Sequence, residues 1–102
     1  MELNIIKALN DDSSELTVTL EGRLDTITSP QLDEELEGSV EGIKHITFDL
    51  KNLTYISSAG LRLLLKYQTA MKKNGMMVKN IRREIMSVLN ITGFNKFLNI
   101  EA

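Results

Sequence analysis

No cysteine and only one histidine occur in the 102 residues. The first absence excludes a disulfide framework and a thiolate metal site. No cluster of His and Asp/Glu replaces it, so the sequence holds no metal-ligand pattern and implies no cofactor. No apolar run approaches the roughly 18 residues that a membrane span requires. The opening Met1-Glu2-Leu3-Asn4 lacks a basic segment leading into an apolar one and does not read as a signal peptide. An excess of one charge is missing too, with 12 basic residues against 14 acidic ones and a formal net charge of -2. The basic residues are scattered, and the pairs Lys72-Lys73 and Arg82-Arg83 read as solvated helix ends rather than phosphate clamps. Direct nucleic-acid binding is not expected from such a distribution. These absences describe a cytoplasmic protein with no membrane role.

What is present fits one domain over residues 1–102, with 42% hydrophobic and 25% charged residues. Leu3 and Ile5 open a first strand, and Asn10 to Ser14 form a turn cluster. Leu16, Val18 and Leu20 then alternate with Thr17, Thr19 and Glu21, the period of a half-buried strand. The short turn predicts an antiparallel hairpin. Gly22-Arg23-Leu24-Asp25 is expected to leave the sheet. Ser29-Pro30 reads as a capped helix start, with Leu32, Leu36 and Val40 as its buried stripe; Gly38, inside that stripe, weakens the helix and is expected to fray it after Glu37. A strand is expected over Ile43 to Leu50, with Ile46, Phe48 and Leu50 on one face. The longest helix is expected from about Ser58 to Lys73, its polar face carrying Arg62, Lys66, Thr69 and Lys73. Leu63, Tyr67, Ala70 and Met71 are expected to widen its apolar side. Asn74-Gly75 reads as its stop, Met76 to Lys79 as a strand, and Asn80 as the cap of a helix ending at Gly93. Phe97, Leu98 and Ile100 suggest a final strand. The order β-β-α-β-α-β-α-β predicts an α/β domain with a mixed four- to five-stranded sheet and helices packed against it. Met76, Met77, Phe94 and Phe97 are read as core.

The chemically suggestive segment is Tyr55-Ile56-Ser57-Ser58-Ala59-Gly60-Leu61. Two hydroxyls sit where a loop enters the N-terminus of the main helix, and small residues leave the backbone accessible. Unpaired N–H groups and the positive dipole end make such a junction suited to an anion. A serine that accepts a phosphate is one reading. The other is that Ser57 caps the helix while Ala59 and Gly60 only permit close packing.

Ser57-Ser58-Ala59-Gly60-Leu61 resembles the signature of the sulfate-transporter and anti-sigma antagonist (STAS) family, whose usual form is Asp-Ser-[Ser/Thr]-Gly-Leu. Gly22-Arg23-Leu24-Asp25 with Thr28 resembles the family's Gly-x-Leu-Asp-x-x-Thr, and Ile43-Lys44-His45-Ile46 and Ile91-Thr92-Gly93-Phe94 fall where it has similar patterns. The resemblance implies a bacterial, non-enzymatic anti-sigma factor antagonist. Its partner would be an anti-sigma factor with serine kinase activity, and a serine phosphatase would be a further one. By position, Ser58 matches the phosphorylated serine and Asp25 an acidic residue near it. Thr28, Ser57, Ala59, Gly60, Leu61 and Arg62 complete the expected environment. Ser57 stands where the family has aspartate, and Ala59 where it has a hydroxyl residue, which leaves Ser58 the sole acceptor at the signature. The alternative within the resemblance is a scaffold or nucleotide-sensing module without a kinase switch. A hydrolase would need a base beside Ser57 or Ser58, and His45, mid-strand, is a poor candidate. Asp25 and Asp49 could pair as carboxylates, with no second feature in support.

Overall fold

In the computed structural model, which describes residues 3–101, the alternation of apolar residues becomes one buried face of a sheet. Met1, Glu2 and Ala102 lie outside the described residues. Strands β1 (Leu3–Leu9) and β2 (Glu15–Leu24) form the expected antiparallel hairpin. β3 (His45–Ile56) and β4 (Met76–Lys79) then add in parallel, and the sheet order is β1-β2-β3-β4. Helices α1 (Ser29–Glu37), α2 (Ser58–Met71) and α3 (Arg83–Thr92) join them. Leu16, Val18 and Leu20 of β2, Ile46, Phe48 and Leu50 of β3, and Met76 and Val78 of β4 are all buried on one face. Leu32 and Leu36 of α1, Leu61 and Leu64 of α2, and Ile85 and Leu89 of α3 close the same core. Burying a side chain such as Phe48 is worth about 3 kcal/mol.

β3 runs past the expected end at Leu50 to Ile56. Its period of two breaks because β3 carries one residue more than β2 between the Thr19–Asp49 and Glu21–Asn52 pairs. It carries one more again between Gly22–Leu53 and Arg23–Tyr55. Such bulges re-aim a strand without ending it; here they return Leu53 and Ile56 to the core and turn Tyr55 outward. β2 likewise stays in the sheet through Leu24 instead of leaving at Gly22.

Helix ends differ in instructive ways. α1 stops at Glu37, where fraying was expected, with Gly38 as its cap in a right-handed conformation. Its first residue Ser29, however, is buried with no partner for its hydroxyl, so it does not cap the helix. α2 ends at Met71, two residues early, because Lys72 rather than Gly75 takes the positive-φ position. Ala70, expected on the apolar side, is exposed. Asn80 does not cap α3; it sits at φ 57, and its Nδ2 donates to Asp49 Oδ1 at 3.1 Å. Gly93 ends α3 in the left-handed conformation, as its position predicted. The final strand reduces to a single parallel bridge between Val78 and Ile100, preceded by a 3-10 turn at Phe94–Lys96. Phe97 is 64% exposed and belongs to no core.

Candidate functional site

β2 and β3 end side by side and deliver two loops to one end of the sheet. The join is a hydrogen bond from Ser57 N to Leu24 O at 2.9 Å, linking the last residue of β2 to the residue before α2. Gly60 makes this approach possible. A Cβ there would lie 2.8 Å from Leu24 Cγ, 2.9 Å from Ile56 Cγ1 and 2.9 Å from Leu24 O. Gly60 and Leu61 are therefore buried packing residues that place the helix start.

Asp25 begins the loop after β2 and fixes its shape. Its Oδ1 accepts from Ile27 N and Thr28 N, each at 3.0 Å. In return Asp25 N donates to Thr28 Oγ1 at 2.8 Å, and that hydroxyl donates to Arg23 O at 2.8 Å. Thr28 is buried, so it acts on any partner only through the loop it braces. The N–H bonds, led by that of Thr28, hold the Asp25 carboxyl below its ordinary value, with Arg23 contributing last. Asp25 is consequently charged at neutral pH.

Ser57 occupies the N-cap of α2 in an extended conformation, and its Oγ accepts from Gly60 N at 3.4 Å, a long bond. Ser58 is the first residue of the helix and is exposed. Ser57 and Ala59 are half-buried. The two serines divide the roles offered by the sequence: Ser57 caps, and Ser58 is left exposed outside the cap. Arg62, one helical turn after Ser58 on the same face, is exposed as well.

Three further residues belong to this surface. Ile27 is 79% exposed at the tip of the Asp25–Thr28 turn. Tyr55 is exposed at the end of β3 opposite Arg23, whose guanidinium lies 4.1 Å from its ring centroid, and Arg23 also pairs with Asp25 at 3.6 Å. An isoleucine between two turn-forming residues was the one sequence sign of this apolar tip.

The structure does not bring His45 to the serines. It starts β3, eleven residues before Ile56, and a strand rise of roughly 3.3 Å per residue puts it on the order of 30 Å away. Asp49 accepts from Lys51 N and Asn80 Nδ2, while Asp25 is engaged in its own loop, so the two carboxylates do not pair. Among the described residues no group of three or more His, Cys, Asp or Glu could hold a metal. No helix among them is long and apolar enough to cross a membrane.

Comparison with known proteins places this geometry. A model of the STAS domain family matches residues 5–102. The anti-sigma-B factor antagonist of Staphylococcus epidermidis is 30% identical over 103 aligned residues, covering 98% of this chain and 94% of that protein. The crystal structure of an anti-sigma factor antagonist from Mycobacterium paratuberculosis superposes with a TM-score of 0.84 at 20% identity, covering 97% of this chain and 85% of that one. The anti-sigma factor antagonist SpoIIAA in its unphosphorylated form superposes with a TM-score of 0.79 at 14% identity, covering 97% and 89%.

Proposed function

This chain belongs to the STAS domain family, among whose members its relatives are anti-sigma factor antagonists, and from that premise we propose that it is a partner switch governed by Ser58. The unmodified protein binds an anti-sigma factor in the cytoplasm through the Asp25–Thr28 turn and the start of α2. That partner, a serine kinase, transfers the γ-phosphoryl of ATP to Ser58 Oγ. The new O–P bond replaces the one to ADP, and the serine proton leaves to a base on the kinase. A serine phosphatase reverses the modification. The protein itself performs no catalysis.

The observation that carries this reading is the division between two adjacent serines. Ser57 is occupied in the cap, whereas Ser58 is exposed at the first helical position. Phosphate there adds roughly 1.5 to 2 negative charges. The helix dipole and Arg62, one turn on, favour that charge, so the fold tolerates it. The partner does not. It docks against the apolar Ile27 and Tyr55 beside an already charged Asp25, and a phosphate at the same surface must be desolvated or repelled, at about 2–5 kcal/mol. Release follows from charge, not unfolding.

Calorimetric titration of an anti-sigma factor from the same genome with Ser58→Ala and Ser58→Asp tests the switch. Ser58→Asp is expected to bind at least about tenfold more weakly, a difference of about 1.4 kcal/mol. Equal affinities would sink it.

A further inference from the structure

At the other end of α2 lies a groove of about 610 Å³ between the last two turns of that helix and the segment from Asn95 to Ile100. At 1.5 Å per residue, its Lys72 wall is about 20 Å along the helix from Ser58. The groove combines three features. Lys72, Lys73 and Lys96 line it, and none forms an ion pair within 4.0 Å among the described residues. Phe97, 64% exposed, lines it together with Leu65 and offers an apolar contact. Polar groups tie its walls together: Gln68 Oε1 accepts from Asn99 N at 2.8 Å, and Asn99 Nδ2 donates to Lys73 O at 3.1 Å and Met76 O at 2.9 Å, whereas the buried Oδ1 of Asn95, also in the lining, has no partner. The walls are thus tied together, while the cations and the phenyl ring remain available.

Lys72 adds an independent observation. Its backbone lies at φ 66 and ψ 173, a region that glycine occupies freely and a lysine does not. Gln68 Nε2 and Gly75 N hold its carbonyl there, at 2.9 and 3.1 Å. A glycine would end α2 without strain, yet the sequence has a cation.

We propose that this groove docks an acidic peptide segment of a protein partner, with an apolar side chain against Phe97 and Leu65 and carboxylates on Lys72, Lys73 and Lys96. Uncompensated positive charge around an apolar floor is complementary to that chemistry. The open shape takes several side chains, more than a free phosphate would fill. The surface is separate from the Ser58 face, so the chain could hold a second partner whether or not Ser58 is modified.

The test is an amide-resolved NMR titration of the whole chain with the peptide acetyl-Glu-Glu-Leu-Phe-Glu-Glu-Leu-Glu-amide, alongside its counterpart with lysine for glutamate and inorganic phosphate. The acidic peptide is expected to shift Leu65, Thr69 and Lys96 to Asn99 while leaving Ser58 unmoved, in wild type and Ser58→Asp alike. Replacing all three lysines by glutamine should weaken binding about tenfold or more, and Phe97→Ala by a similar factor. Lys72→Gly separates function from structure, because it should melt higher and bind several-fold more weakly. The proposal is overturned if the acidic peptide shifts nothing in the groove, if the lysine peptide binds as well, or if phosphate alone reproduces the shifts. It is overturned equally if Lys72→Gly binds like wild type.

Discussion

Gly60→Ala examines how the two loops of the site are brought together. The new methyl would sit 2.8 Å from Leu24 Cγ and 2.9 Å from both Ile56 Cγ1 and Leu24 O. The last is backbone and already accepts the Ser57 N–H, so it cannot swing aside like a side-chain tip. Overpacking of this kind costs about 1–3 kcal/mol. Alanine's better helix propensity returns up to about 1 kcal/mol. Because the clash is partly with backbone, the overpacking cost falls in the upper half of its range, about 2–3 kcal/mol. The net loss is about 1–2 kcal/mol, or a fall in Tm on the order of 10 °C for a domain of this size. Gly38→Ala is the control, with the same chemical change at a helix end where nothing lies within 4 Å and φ is -88°. It should gain a few tenths of a kcal/mol, roughly, by restricting the unfolded chain. Thermal melts of both variants by circular dichroism give the comparison. A Gly60→Ala protein that melts at or above the wild-type temperature would refute the argument that Gly60 sets the distance between β2's end and α2.

Other consequences can be checked with the same preparations. Ser29→Ala should be neutral or stabilising in chemical denaturation, because its hydroxyl is buried without a partner; a loss of about 1 kcal/mol would show that it caps α1 after all. Tyr67 donates to Asp33 Oδ1 at 2.7 Å, and this bond, ahead of Lys66, holds the Asp33 carboxyl below its ordinary value. That depressed value contributes stability above about pH 4, lost as pH falls through the folded value. Tyr67→Phe should therefore raise the Asp33 titration seen by NMR and cost about 1–2 kcal/mol at neutral pH, with the difference shrinking in acid. An unchanged Asp33 titration would contradict it. Ile27→Ala should weaken anti-sigma factor binding by about tenfold while leaving Tm within a degree or so, since the side chain is 79% exposed.

The sequence was readable wherever one face of an element meets one core. Leu16, Val18 and Leu20, then Ile46, Phe48 and Leu50, placed two strands correctly because alternation survives in them. Alternation fails after Leu50, where two extra residues in β3 shift the register; a bulge is a relation between strands and leaves no mark in one of them. Caps were harder. Gly93 ends its helix in the left-handed conformation that suits glycine and Gly38 caps α1 in a right-handed one, but Ser29 and Asn80, residue types that commonly cap, are used otherwise by their surroundings. The serine pair and Asp25 stood out as sequence motifs, and the structure adds what joins them: Thr28 braces the Asp25 loop and Gly60 lets α2 approach Leu24. Tyr55 was legible only as the start of the serine segment and Ile27 not at all, because nothing in the sequence alone tells an exposed apolar residue from a buried one.

The most direct test of the switch is to incubate the purified protein with ATP, magnesium and an anti-sigma factor kinase from the same genome, and to map the phosphate by mass spectrometry. Phosphate on Ser58, abolished in Ser58→Ala and retained in Ser57→Ala, is the predicted result. Phosphate on Ser57, or none on either serine with a kinase that phosphorylates its own antagonist, would contradict it.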